Sequence, residues 1–149
     1  MSTHHRHVIR AAVVAVLIAA DTSACARVYD TPTDPRRTFP ALTVEDMGEQ
    51  QQVLSTARGP GATLRRTLVL EIAAEVQQTT GYAQERDQLL ADVEIAMAGA
   101  VISGVQIIKP TGYAPDTVPG MERPIAIGRQ RFEITYLTTQ GTPGTPMGA

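Results

Sequence analysis

The feature that most constrains this chain is a strict alternation of side chains along residues 64–77. Leu68 and Leu70 fall on one side of an extended strand, and Glu71 falls on the other. A strand with one strongly apolar face must bury that face against a second layer. The alternation therefore predicts a sheet that is covered by helices on one side.

Two segments have the three- and four-residue spacing of helices. The first spans residues 4–20 and is expected to be buried on most sides. Its predicted buried face comprises Val8, Ala11, Ala12, Ala15, Ile18 and Ala19, widened by Val13, Val14, Val16 and Leu17. The second spans residues 82–100. Its predicted buried stripe comprises Leu89, Leu90, Val93, Met97 and Ala100.

Further strands are predicted at residues 26–30, 39–47, 105–109 and 125–138, with Gly128 marking a bulge in the last. The segments 48–63 and 110–123 are polar or rich in Pro and Gly, which predicts long loops. We expect an α/β (α+β) domain with two layers. It comprises a mostly antiparallel sheet of about four to five strands with two helices packed on one face. Residues 1–139 form this single domain, and residues 140–149 form a flexible C-terminal tail.

Composition limits what this domain can do. The chain has 149 residues, enough for one core. A net charge of -2 gives no electrostatic basis for wrapping nucleic acid. Cys25 is the only cysteine, which excludes an internal disulfide and a cysteine-rich metal site. No apolar run reaches the roughly 18–20 residues that a membrane-spanning helix needs.

The N-terminal segment has a second interpretation, as a secretory signal. Its basic start, the apolar stretch 11–20 and the small residues 24–26 resemble such a signal, and Cys25 suggests a lipid anchor. A structural helix is favoured over this alternative, because the predicted sheet needs helices to cover it.

Residues that carry catalytic or metal chemistry are few. The only histidines are His4, His5 and His7, which we interpret as the solvated start of the first helix. Glu71 and Glu75 share one face of the central strand, and an exposed or interface surface is the preferred interpretation over an acid–base pair. The sequence predicts no enzyme activity, no metal and no cofactor. An enzyme that uses Glu71, Glu75 or Asp116 is kept as an alternative.

Several short segments follow one another in a distinctive order. They are a helix at residues 4–20, Arg27-Val28-Tyr29-Asp30, Phe39-Pro40-Ala41-Leu42-Thr43-Val44, the strand from Arg66 to Val76 before an amphipathic helix, Gly112-Tyr113, and Phe132-Glu133-Ile134-Thr135-Tyr136. In this order the chain resembles, over residues 4–139, the tail-terminator family of long-tailed bacteriophages, the minor tail protein U type.

The resemblance implies a structural virion protein at the head-proximal end of the tail, assembled in the host cytoplasm. Six copies would form a ring that stops polymerisation of the tail tube protein and offers a surface to the head–tail connector protein. DNA would only pass through the lumen, and no membrane would be involved. Two alternatives stay open: a head–tail connector or completion protein of related fold, and an exported periplasmic protein or lipoprotein with a signal at residues 1–26.

We expect the two predicted loops to contact the tail tube or neighbouring subunits, together with polar residues on the strands. The candidate interface residues are Gln50, Gln51, Gln52, Arg58, Arg65, Arg66, Glu71, Glu75, Tyr113, Asp116, Arg123, Arg129 and Arg131.

Overall fold

The computed structural model describes residues 3–30, 38–54, 61–118 and 124–147. The elements, in chain order, are α1 His5–Ala19, β1 Val28–Tyr29, β2 Ala41–Val53, β3 Thr63–Gln77, α2 Tyr82–Ala98, β4 Val105–Val118, β5 Ile125–Thr139 and β6 Thr142–Pro146. The predicted order of the first seven elements is confirmed, and β6 is an additional strand.

The central position of β3 organises the sheet. The strand order is β1-β2-β3-β5-β4, and β6 also pairs with β5. Among the described strands, only the short β1 pairs in parallel, with β2, and the other neighbours are antiparallel. The register of β3 and β5 runs from Thr63 opposite Thr139 to Gln77 opposite Ile125 without a shift. The predicted mostly antiparallel α+β architecture is confirmed.

Both helices pack on the same face of the sheet, as predicted. Leu68 and Leu70 of β3, Phe132 and Ile134 of β5, and Leu89 of α2 all belong to one core cluster. Because β3 and β5 pair in register, their even-numbered residues face the helices. Their odd-numbered residues lie on the other side of the sheet, which we call the open face.

Neither of the helices in the described ranges is long and apolar enough to cross a membrane.

The side of α1 that is buried differs from the prediction. The residues that face the sheet are His5, Ile9, Val13 and Leu17, at successive intervals of four. Val8, Ala11, Ala15 and Ile18, which were predicted to be buried, are instead exposed on the opposite side. The sequence pattern misleads here because α1 is apolar on nearly all sides, so periodicity does not select one face.

The two predicted loops are largely strand in the described residues. β2 continues to Val53, so its glutamines pair with β3, and β4 continues to Val118. Pro110 and Pro115 are tolerated in β4 because it lies at the end of the described strand order, where an N–H is not needed on the outer side. The remaining parts of the loop predictions, residues 55–60 and 119–123, lie outside the described residues.

The C-terminal segment also differs from the expected flexible tail. Pro146 of β6 lies opposite Thr138, and the Met147 N–H donates to the Leu137 carbonyl at 2.7 Å. A segment with several Pro and Gly residues adds little side-chain packing, so the composition gave no sign of this strand. Its order comes from backbone hydrogen bonds to the end of β5.

Candidate functional site

A buried carboxylate lies on the open face among the predicted interface residues. Glu71 accepts from Arg129 Nη1 at 3.0 Å and from Arg131 Nε at 3.0 Å. Arg129 also approaches Asp116 at 3.6 Å. The register places these side chains together, because Glu71 pairs with Arg131 across β3 and β5, and Ala73 pairs with Arg129. We call Glu71, Asp116, Arg129 and Arg131 the Glu71 cluster.

The charges of the Glu71 cluster are internally balanced, with two guanidinium groups against two carboxylates. Burial disfavours the charged form of Arg129, but the hydrogen bond and the charge of Glu71 prevail and raise the pKa of the guanidinium. A hollow of about 410 Å³ lies beside the cluster and includes the half-exposed Tyr113 in its lining. Both arginines that line the hollow are already paired, so the described lining offers no uncompensated positive charge to an anion.

Two other groups of predicted residues are also paired on the open face. Glu75 accepts a hydrogen bond from Thr43 Oγ1 at 2.8 Å, and Arg65 donates to Gln52. Both Glu71 and Glu75 are buried, so an exposed carboxylate surface is wrong, whereas the interface that was predicted as its alternative stays a prediction. Neighbouring side chains cover them, and this cover depends on cross-strand register that the sequence does not display.

A second buried carboxylate was not among the predicted residues. Glu49 lies on the helix side of the sheet with 3% of its side chain exposed. It accepts from Arg66 Nη1 at 3.0 Å, from Arg6 Nη1 at 3.1 Å and from the hydroxyl of Tyr136. Arg66 also donates to Thr138 Oγ1 at 2.7 Å and lies 3.3 Å from His4 Nε2.

This second group, which we call the Glu49 cluster (His4, Arg6, Glu49, Arg66 and Tyr136), corrects one prediction. Arg66 was expected at an interface, but its side chain is buried. The even-numbered position of Arg66 on β3 was the available signal, because it shares a face with Leu68 and Leu70. Gln51 also belongs to this side, since it pairs with Arg66 and donates to Glu49 at 3.0 Å.

A bulge in β2 brings Glu49 to the helix side. Asp46 pairs with Leu70, but the next pair is Glu49 with Leu68, so β2 has one residue more than β3 at this point. The extra residue reverses which side of the sheet Glu49 faces. Gly48 allows this with a φ of 116°, and its N–H donates to Asp46 Oδ1 at 2.8 Å.

Burial and hydrogen bonding oppose each other in the Glu49 cluster. Burial alone would raise the pKa of Glu49, but hydrogen bonds from Tyr136, Gln51 and Arg66 prevail and lower it. Burial and the adjacent Glu49 charge raise the pKa of the Tyr136 phenol. Burial, followed by the positive charges of Arg6 and Arg66, lowers the pKa of His4. The stable protonation state at neutral pH is therefore an ionised Glu49 with a neutral His4.

The histidines at the start of α1 are not uniformly solvated, contrary to the prediction. His5 is buried, with Nε2 2.9 Å from the Ser103 carbonyl and its ring centroid 5.7 Å from that of Tyr136. His4 accepts from the Arg6 N–H at 3.2 Å as a cap of α1. His5 shares a face with Ile9 and Val13, but the sequence pattern did not identify that face as the buried one.

Each cluster joins a buried carboxylate to two arginines across neighbouring elements. Within the described ranges, no group of three or more His, Cys, Asp or Glu side chains could hold a metal ion. The predicted interface residues Arg58 and Arg123 lie outside the described residues. The other predicted interface residues lie either on the open face or on the helix side of the sheet, where Glu49 is.

No family model and no curated protein matches the chain. Among solved structures, the chain is similar to a chain in the virion of a native gene transfer agent (GTA) particle. The two are 20% identical with a TM-score of 0.48, and the match covers 85% of this chain and 94% of the other.

Proposed function

We propose that this chain is a structural virion protein. In this proposal it forms a ring that caps the head-proximal end of a phage tail tube, stops tube polymerisation and provides the surface for head attachment. The resemblance of residues 4–139 to tail terminators supports this role. The confirmed order of helices and strands is the order on which that resemblance depends.

One structural observation carries the assembly role: the helices expose apolar side chains on the side away from the sheet. Val8 and Ile18 of α1 are exposed, and Ile95 of α2 is 72% exposed. A helix at a water-facing surface normally carries charged or polar residues there. Apolar residues along the outer side of α1 and on the C-terminal half of α2 are what a subunit of a larger assembly would present.

The burial of α1 favours assembly over the export alternative. Ile9, Val13 and Leu17 are fully buried in the main core. A mature product that begins near Cys25 would lose all three side chains and open that core. Intact-mass measurement of the protein from its native source tests this point. A chain that starts at residue 25 or 27 would support the exported alternative.

Tube capping is the direct test of the proposed function. Tail tube protein of the same virus is polymerised with and without the purified chain, and tube lengths and ends are measured by negative-stain electron microscopy. We expect shorter tubes with a ring at one end. Tubes of unchanged length with bare ends would contradict the proposal. Binding to DNA-filled heads rather than to tubes would favour the connector alternative.

A further inference from the structure

The outer side of α1 is apolar along nearly its whole length. Its exposed residues after His7 are Val8, Ala11, Ala15, Ile18 and Ala19. Their spacing places them opposite the buried stripe of the same helix. The three alanines are small, so another helix could approach the α1 backbone closely. A helix with apolar residues on all sides is normally buried.

The outer side of α2 is apolar only in its C-terminal half. Ala91, Ile95 and Ala98 are exposed at intervals of four and three residues. Val101 follows the helix and is 96% exposed. Ala98 and Val101 also line a groove of about 330 Å³ that continues to Val105 at the start of β4. The patch on α2 is therefore comparable in chemistry to the stripe on α1.

The two helices carry opposite charge. α1 contains two arginines and no carboxylate, whereas α2 contains four carboxylates and one arginine. Arg6 is bound to Glu49, whereas Arg10 lies 3.2 Å from His7 Nδ1 and forms no ion pair with any described residue, so Arg10 can pair with a carboxylate of another protein. On α2, Glu94 is exposed beside Ile95, and no ion pair involves it within the described part of the chain.

We propose that α1 of one copy packs against α2 of a second copy of this chain, with Arg10 near Glu94 of that second copy. The inference rests on the self-assembly part of the proposed function. Contact of α1 with α1 would bring arginines together, and contact of α2 with α2 would bring carboxylates together. Only the α1–α2 pairing combines apolar stripes with attractive charge.

Charge reversal tests this pairing through self-association, measured by sedimentation velocity over a concentration series. Arg10→Glu and Glu94→Arg should each weaken association about tenfold, and the double variant should recover most of that loss. Lys109→Glu is the matched control, because it makes the same charge change at an exposed position of β4. It should associate as the wild type does.

Ile95→Asp provides a second test through the apolar contact. The side chain is largely exposed, so the unfolding midpoint should not change, whereas association should fall more than tenfold.

Unchanged association of Ile95→Asp and of both single charge variants would overturn the α1–α2 pairing while leaving the ring intact. Variants that associate normally but no longer cap tubes would also overturn the α1–α2 pairing. They would show that the apolar outer sides of the helices bind the tail tube instead. A wild-type chain that caps tubes as single copies would overturn the pairing and the ring together, although capping itself would stand.

Discussion

Two of the buried glutamates in the described part of the chain, Glu49 and Glu71, each bind two arginines, but the surroundings of the two clusters differ. Glu49 lies between the helical layer and the sheet, and its partners come from α1, β3 and β5. Glu71 lies on the open face, and both of its arginines come from β5. The Arg66 side chain is 7% exposed, whereas those of Arg129 and Arg131 are 33% and 51% exposed.

This difference determines what each cluster can do for the fold. If Glu49 is removed, Arg66 is left as a buried charge without its carboxylate, which is costly. If Glu71 is removed, its arginines can turn to water. The Glu49 cluster should therefore couple the layers, and the Glu71 cluster should mainly set the shape and charge of the open face.

Glu49→Ala should have the largest effect. We expect a loss of about 3–5 kcal/mol in the free energy of unfolding, because a buried arginine loses its partner. Urea denaturation followed by circular dichroism measures this loss. The matched control is Glu71→Ala, which should lose only about 1.5–3 kcal/mol. It removes two hydrogen bonds to charged groups, but the two arginines can be solvated. Equal losses for the two variants would contradict the distinction between the clusters.

Acid should have the second-largest effect, by weakening the interactions of the Glu49 cluster. The pKa of Glu49 is lowered from 4.5, so its contribution is complete above about pH 4.5 and is lost as the pH falls through the lowered value. The pKa of His4 is lowered from 6.5, so its contribution to the free energy of unfolding is complete above about pH 6.5. Below that pH the contribution falls, because the histidine takes up a proton more readily in the unfolded chain than in the folded one. Both effects reduce stability towards acid.

A pH series of urea denaturation measures this dependence. Glu49→Gln should flatten the part of the curve below pH 4.5, and His4→Ala should flatten the part just below pH 6.5. If both variants lose unfolding free energy towards acid pH as the wild type does, other groups control the loss of stability in acid.

The bulge that orients Glu49 should have an intermediate effect. Gly48→Ala introduces a side chain at a φ of 116°, where no atom lies within 4 Å of the new Cβ, so the cost is backbone strain alone. We expect a loss of about 1–3 kcal/mol in unfolding free energy. Gly112→Ala is the control, because it also has open space but no such φ. A Gly48→Ala variant as stable as Gly112→Ala would show that the bulge relaxes easily.

Much of the fold could be predicted from local patterns, because β3 alternates clearly and α2 has one buried stripe. The same patterns could not reveal Glu49, because an inserted residue reverses the side that it faces. Nor could they choose a face for α1, which is apolar all round. The failure at α1 concerns only where residues point, whereas Glu49 was also assigned to the wrong element, since it lies in β2 and not in the predicted loop.

Gly128 shows a related limit. It was predicted to mark a bulge, but β5 passes through it in unbroken register with β3. A Cβ at this position would lie 2.7 Å from Leu90 Cδ1, so the glycine gives α2 room to approach the sheet. A glycine in a strand pattern is compatible with either role, and only the position of the packed helix distinguishes them.

Arg131→Ala should have the smallest effect and tests the open-face side of the comparison. Glu71 would keep its bond to Arg129, and the half-exposed Arg131 side chain is well solvated, so the loss should stay below about 1 kcal/mol. Arg66→Ala on the Glu49 side should cost several times more, because its carboxylate partner is buried.

Denaturation of both variants in low and high salt separates the two cases. Salt should reduce the small effect at Arg131 and leave the effect at Arg66 nearly unchanged, since buried pairs are screened less. A large, salt-insensitive loss at Arg131 would mean that the open face is a second structural centre equal to the Glu49 cluster.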